Sequence, residues 1–137
     1  MGVLATEVLV GVIAQAGTFT SRVRLLSDPD THMSVAIGRV EGTEFTAVDG
    51  SFWLVGSGRG RIEIRDVHHQ YVDDGAVRLG DVVLTRRDDP QLPPSVTIGT
   101  IVDMESDPDN GLLYILHVDP GVELESIRRV YVVDTRE

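Results

Sequence analysis

GDVVLTRRDDPQLPPSVTIGTIVDMESDPDNGLLYILHVDPGVELESIRRVYVV, residues 80–133, decides the fold class. Gly80-Asp81 is a turn pair that launches a β-branched run, Val82–Thr85. Arg86–Pro94 is polar and proline-rich, which suits a loop. Val96–Met104 then reads as a strand, Asp107-Pro108-Asp109-Asn110-Gly111 as a turn, and Leu112–Val118 as the returning strand. Val122–Arg129 is the only credible helix. Pro120 precedes it, Glu123 and Glu125 lie in its first turn, and Arg128 and Arg129 lie in its last, the charge order a helix dipole favours. Leu124 and Ile127 would face inward, and Val130–Val133 closes the stretch as a last strand.

The residues upstream continue the theme. Val3–Ala14 is dense in β-branched residues, with Gly11 as a candidate bulge, so a strand fits better than a helix. Gln15–Thr18 reads as a turn. Ser21–Leu26 alternates, with Val23 and Leu25 inward and Arg22 and Arg24 outward. Ser27-Asp28-Pro29-Asp30 ends it with turn chemistry. Met33–Val40 alternates again, Phe45–Val48 is a weaker segment, and Asp49-Gly50 is a hairpin signal. Ser51–Val55 and Arg61–Val67 flank Gly56-Ser57-Gly58-Arg59-Gly60. The spacing predicts about nine short strands separated by turns, the pattern of an all-β sandwich or barrel.

Composition narrows the function. At 137 residues, one compact domain or two very small ones sharing a core is expected. With no cysteine, disulfides, thiolate zinc sites and cysteine nucleophiles are excluded. The net charge of −10 argues against a nucleic-acid partner, which needs clustered cations. Every basic side chain but the histidines is arginine, whose fork suits pairing with the abundant carboxylates. No run approaches the ~18 apolar residues of a membrane span, and Met1–Gly17 lacks the basic start of a signal peptide.

Each chemistry-bearing group has a plain structural reading. Gly56–Gly60 lacks the Lys-Ser/Thr of a phosphate loop and opens no helix, so it reads as a flexible hairpin loop. His68 and His69 would point to opposite faces if extended, and with His32 and His117 they form no recognisable metal spacing. Asp28/Asp30, Asp73-Asp74 and Asp88-Asp89 lack the register of a calcium loop and coincide with turns. Ser51 or Ser57 with a histidine and an aspartate could be assembled into a hydrolase triad on a chymotrypsin-like double barrel, but no serine lies in a nucleophile motif. Of the neighbours Phe52 and Trp53, one ring should face the core and the other solvent, where it could anchor a partner. Tyr71 and Phe19 are weaker candidates of the same kind.

Taken in order, these motifs resemble the rod shape-determining MreC family. Gly80-Asp81-x-Val83-x-Thr85, a proline-containing loop and Ile98-Gly99-x-Ile101-x-x-Met104 are similar to that family's G-D-x-V-V-T and V-G-x-V-x-x-V segments. Val118-Asp119-Pro120, Leu124, Ile127 and Val130–Val133 resemble its closing segment. Leu9–Ile13, Phe19–Pro29 and Leu54-x-Gly56-x-Gly58-x-Gly60-x-Ile62-x-Ile64 resemble its L-V-G-x-V, F-T-S-x-V-x-L-L-T-D-P and L-x-G-x-G-S-G-x-L-x-L motifs. The chain departs from the pattern after Thr85, where Arg86-Arg87-Asp88-Asp89-Pro90 replaces a glycine-rich turn, and at Leu92-Pro93, where the family has Phe-Pro.

The resemblance implies an all-β fold of two small β-barrels packed together with one short C-terminal helix. Residues 1–29 plus 80–137 are expected to form one barrel and 30–79 the other. It implies a non-enzymatic scaffold on the periplasmic side of the inner membrane, held there by a segment outside this sequence. Its expected partners are a class B penicillin-binding protein, MreD and the MreB filament system, with self-association into dimers or filaments. Phe52, Trp53, Tyr71, Arg86 and Arg87 are the candidate partner contacts. No catalytic residue, metal or cofactor is expected. A serine hydrolase is the alternative from a different class, and a generic ligand-binding barrel is a third.

Overall fold

A computed structural model of the chain describes residues 2–5, 8–58, 60–86, 96–121 and 129–133. Its strands are β1 (Gly2–Ala5), β2 (Val8–Ala16), β3 (Ser21–Leu25), β4 (His32–Glu41), β5 (Glu44–Ala47), β6 (Phe52–Gly58), β7 (Arg61–His68), β8 (Val82–Thr85), β9 (Thr97–Asp107), β10 (Asn110–Asp119) and β11 (Tyr131–Val133). One helix, α1 (His69–Asp73), follows β7. No helix among the described residues is long and apolar enough to cross a membrane. The expected C-terminal helix falls on 122–129, of which 122–128 lie outside the described residues.

Six strands close into a ring in the order β4, β6, β7, β10, β9, β8 and back to β4, every pair antiparallel. Closure removes the free edges that an open sheet of this size would expose. Alternation supplies the interior: Val35 and Ile37, Phe52 and Leu54, Ile62 and Ile64, Val83, Ile98 and Ile101, and Leu116 and Val118 are all buried. Curvature comes from irregular pairing. Between Ile64↔Leu116 and Val67↔Tyr114, β7 spends one more residue than β10, and Asp66 takes a left-handed φ of 59° there. Aspartate tolerates that conformation better than most side chains.

Two motif glycines are required by packing. A Cβ on Gly99 would run into the Asp119 backbone carbonyl, and one on Gly56 into the backbone of Ser27 and Asp28. The first contact lets β9 and β10 meet where the ring closes. The second seats the β3–β4 connection against β6, where Gly58 N donates to Ser27 O at 2.7 Å and Gly56 N to Thr31 O at 3.3 Å.

Strands from both sides of the expected boundary share the ring. β4, β6 and β7 come from residues 30–79 and β8, β9 and β10 from 80–119, yet they share one barrel and one core. The described residues show no second closed barrel. β3, β2, β1 and β11 instead form an open antiparallel sheet joined to β9 through the parallel pair Val8↔Thr97. Leu9 and Val10, adjacent on β2, are both fully buried and join the same hydrophobic cluster as the ring. The single strand expected over Val3–Ala14 is two, β1 and β2, paired antiparallel.

β4 outruns the ring. Its first half pairs with β6 and its last four residues with β5, so β5 and β6 lie end to end along one side of β4. Val48 N donates to Ile37 O at 2.8 Å across the gap. The β4–β5 hairpin therefore projects past the barrel, with Val40 and Phe45 exposed on its outer face.

Candidate functional site

Phe52 and Trp53 divide as the pleat requires. Phe52 is 2% exposed and Trp53 is 46% exposed. Phe52 thus belongs to the core, and Trp53 is the ring of the two that faces solvent. The Trp53 indole stacks on His32, ring centroids 4.7 Å apart and planes 7° from parallel. The two are brought together by the β4–β6 register, in which Met33 pairs with Leu54 and Ser34 with Trp53. Arg65 stands opposite Trp53 on β7 and is exposed. The result is an aromatic platform with a cation beside it on the outer wall of the barrel. A broad, preordered ring with polar neighbours is the kind of side chain that anchors protein interfaces.

Tyr71 on α1 lies half-buried across the end of the barrel. Its ring meets Phe52 edge-on at 5.2 Å, and its hydroxyl lies so close to Gly50 that a Cβ there would collide with it. A cleft of about 350 Å³ lies beside it, lined by Arg39, Thr46, Val48, Asp49, Tyr71 and Ala76 among others. Tyr71 thus has a structural role alongside any surface one, and it does not adjoin Trp53 through any described ring contact. Arg86 is half-buried and engaged, and Arg87 lies outside the described residues. Of the expected contacts, Phe52 and Tyr71 meet, while Trp53 lies on the outer wall.

The barrel end is held by a pair that periodicity did not reveal. Arg39 Nε donates to Asp81 Oδ1 at 3.1 Å and Arg39 Nη2 to Asp81 Oδ2 at 3.3 Å. Asp81 Oδ2 also accepts from Arg78 N at 2.9 Å, and its backbone carbonyl accepts from Ile101 N at 2.9 Å. Asp81 is buried, so its charge needs these donors. The signal in the sequence was Arg39 itself, which falls on the inward face two residues after Ile37. A cation there requires a carboxylate partner.

Several of the other candidate polar groups are occupied by the fold. His68 caps α1, its Nδ1 accepting from Gln70 N at 3.2 Å, and His69 Nδ1 meets Asp73 Oδ2 at 2.7 Å. Contrary to expectation the two imidazoles stack, 4.6 Å apart, because the strand ends between them. His117 Nε2 meets Glu105 Oε1 at 2.9 Å. Ser57 Oγ donates to the Arg61 carbonyl at 3.2 Å, and no serine bonds a histidine among the described residues. Asp28 Oδ1 accepts from Asp30 N, the turn role expected of that pair. No group of three or more candidate ligands gathers to hold a metal among the described residues. Gly56–Gly58 belong to β6 rather than to a loop.

These features define a small all-β barrel protein, with no assembled catalytic centre among the described residues. The chain belongs to the MreC family: the model of the rod shape-determining protein MreC barrel core matches residues 1–134. It is 30% identical over 128 residues to the cell shape-determining protein MreC of Geobacillus stearothermophilus and to that of Bacillus subtilis. That match covers 92% of this chain and 43% of theirs, so the chain spans less than half the length of these relatives. In fold it is similar to the crystal structure of MreC from Pseudomonas aeruginosa, with TM-score 0.71 and 23% identity over 94% of this chain and 76% of that one. MreC from Listeria monocytogenes superposes with TM-score 0.66 and 24% identity over 90% and 55% of the two chains. The relatives are named as cell-shape proteins, not as enzymes, and the serine hydrolase alternative is not favoured.

Proposed function

We propose that the chain is the binding part of a cell-shape scaffold on the periplasmic side of the inner membrane. It recruits a class B penicillin-binding protein, works with MreD and the MreB system, and self-associates into dimers or filaments. A segment outside this sequence holds it to the membrane. The observation that carries the reading is the family match over residues 1–134. The exposed Trp53–His32 platform supports it by offering a rigid aromatic anchor on a barrel wall. The open β3–β2–β1–β11 sheet belongs to the same proposal as part of a second barrel, as the two-barrel resemblance implies.

Co-purification of the tagged chain with the periplasmic part of the cognate class B penicillin-binding protein tests recruitment, and light scattering across a concentration series tests self-association. The proposal expects a co-purifying complex and a mass that rises with concentration. A folded chain that stays monomeric and retains no transpeptidase would overturn it.

A further inference from the structure

The β2–β3 hairpin differs from the rest of the molecule in charge and in exposure. Between Val8 and Ser27 the chain has Arg22 and Arg24 and not one carboxylate, in a protein of net charge −10. Every residue from Ala14 to Arg22 is exposed. At the tip Phe19 is 96% exposed, the most exposed large apolar side chain among the described residues. The tip is closed on itself by Gly17 N donating to Thr20 O at 2.8 Å, so part of its backbone polarity is already satisfied. Beside it lies a concavity of about 400 Å³ lined by Gln15, Gly17, Thr20, Ser21 and Arg22. Neither Arg22 nor Arg24 has a carboxylate partner among the described residues.

We propose that the β2–β3 hairpin tip docks on an anionic phospholipid surface, with Phe19 inserted below the headgroups and Arg22 and Arg24 against the phosphates. The geometry fits that occupant. Arg22 lies three residues from Phe19, roughly 10 Å along an extended strand. Interfacial segments bury their apolar groups roughly 5–10 Å into the headgroup boundary. The concavity gives a phosphate one guanidinium, two hydroxyls and an amide. A protein partner fits less well, because a stable interface needs on the order of 800 Å² from each side and one aromatic on a narrow tip does not supply that. The inference does not rest on the scaffold reading and can fail or succeed without it.

Flotation of the purified chain with vesicles of phosphatidylglycerol and phosphatidylcholine, against pure phosphatidylcholine, tests the docking. Binding should favour the anionic vesicles and fall with salt, by about fivefold for each arginine removed. Phe19→Ala should lower binding to the anionic vesicles by roughly tenfold. Arg22→Gln with Arg24→Gln should erase the lipid preference. Phe19→Trp should retain binding and show a blue-shifted emission on vesicle addition. All these positions are exposed, and circular dichroism should be unchanged. Three results would each overturn the proposal. One is absent or Phe19-independent flotation. Another is saturation by inorganic phosphate with no vesicle binding. The third is a concentration-dependent dimer that Phe19→Ala dissolves while vesicles remain unbound.

Discussion

Arg39 and Asp81, forty-two positions apart, meet in a two-pronged ion pair at the end of the barrel, at 3.1 and 3.3 Å. Asp81 is 3% exposed and Arg39 33%, so the carboxylate is the buried partner and the guanidinium reaches it from the rim. The pair ties β4 to the turn that opens β8, next to the Val82↔Gly38 end of their ladder. Arg39→Met strands a buried charge and should cost about 3 kcal/mol, less than a fully buried pair because water reaches the rim. Asp81→Asn keeps the shape and one acceptor for Arg78 N, and should cost about 1–2 kcal/mol. Urea unfolding of the two variants should therefore rank Arg39→Met as the less stable.

The same barrel was only partly legible in the sequence. β8 was bounded correctly at Val82 and Thr85 because a short β-branched run between a Gly-Asp turn and a polar loop admits one reading. Pleat geometry alone indicates that one of Phe52 and Trp53 is core and the other solvent-facing, but not which is which. Pairing was not legible. β4 meets β8, β6 and β5 along successive parts of its length, and alternation says nothing about which strand lies beside which. The expected boundary near residue 79 falls just before β8, which pairs with β4 and β9 in the ring. α1 was missed because five residues hold too little periodicity to signal a helix.

Backbone proximity at two glycines gives a second prediction. Gly99→Ala must push β9 away from the Asp119 carbonyl, and Gly56→Ala must displace the Ser27–Asp28 backbone. Overpacking of this kind costs about 1–3 kcal/mol, and more where the obstacle is backbone. Gly111→Ala, with nothing within 4 Å of its Cβ, is the control and should change stability by less than about 1 kcal/mol. Thermal melts of the three variants should separate Gly111→Ala from the other two.

Phe52 and Trp53 should part again in mutagenesis. Phe52→Ala empties a core site packed against Tyr71 and should cost about 3–5 kcal/mol. Trp53→Ala loses one half-exposed stack on His32 and should cost about 1 kcal/mol. Chemical denaturation of both, side by side, checks the assignment of Phe52 to structure and leaves Trp53 available for binding.

The candidate site was legible only as residue types. Adjacent aromatics point to an exposed ring at Phe52 or Trp53, but His32 lies twenty-one positions before Trp53 and nothing in the sequence joins the two. It reaches the indole because β4 and β6 are antiparallel neighbours, a fact of tertiary pairing. Among the described candidates, the fold places Phe52 in the core, Tyr71 at the barrel end and Trp53 on the outer wall.

The scaffold account is tested most directly by calorimetric titration of the chain with the periplasmic part of its cognate class B penicillin-binding protein, wild type beside Trp53→Ala. The account predicts saturable binding by the wild type and about thirtyfold weaker binding by Trp53→Ala, the loss expected of an interface anchor, with the unfolding midpoint nearly unchanged. A folded wild-type chain that binds no transpeptidase, or a Trp53→Ala variant that binds as tightly as wild type, would contradict it.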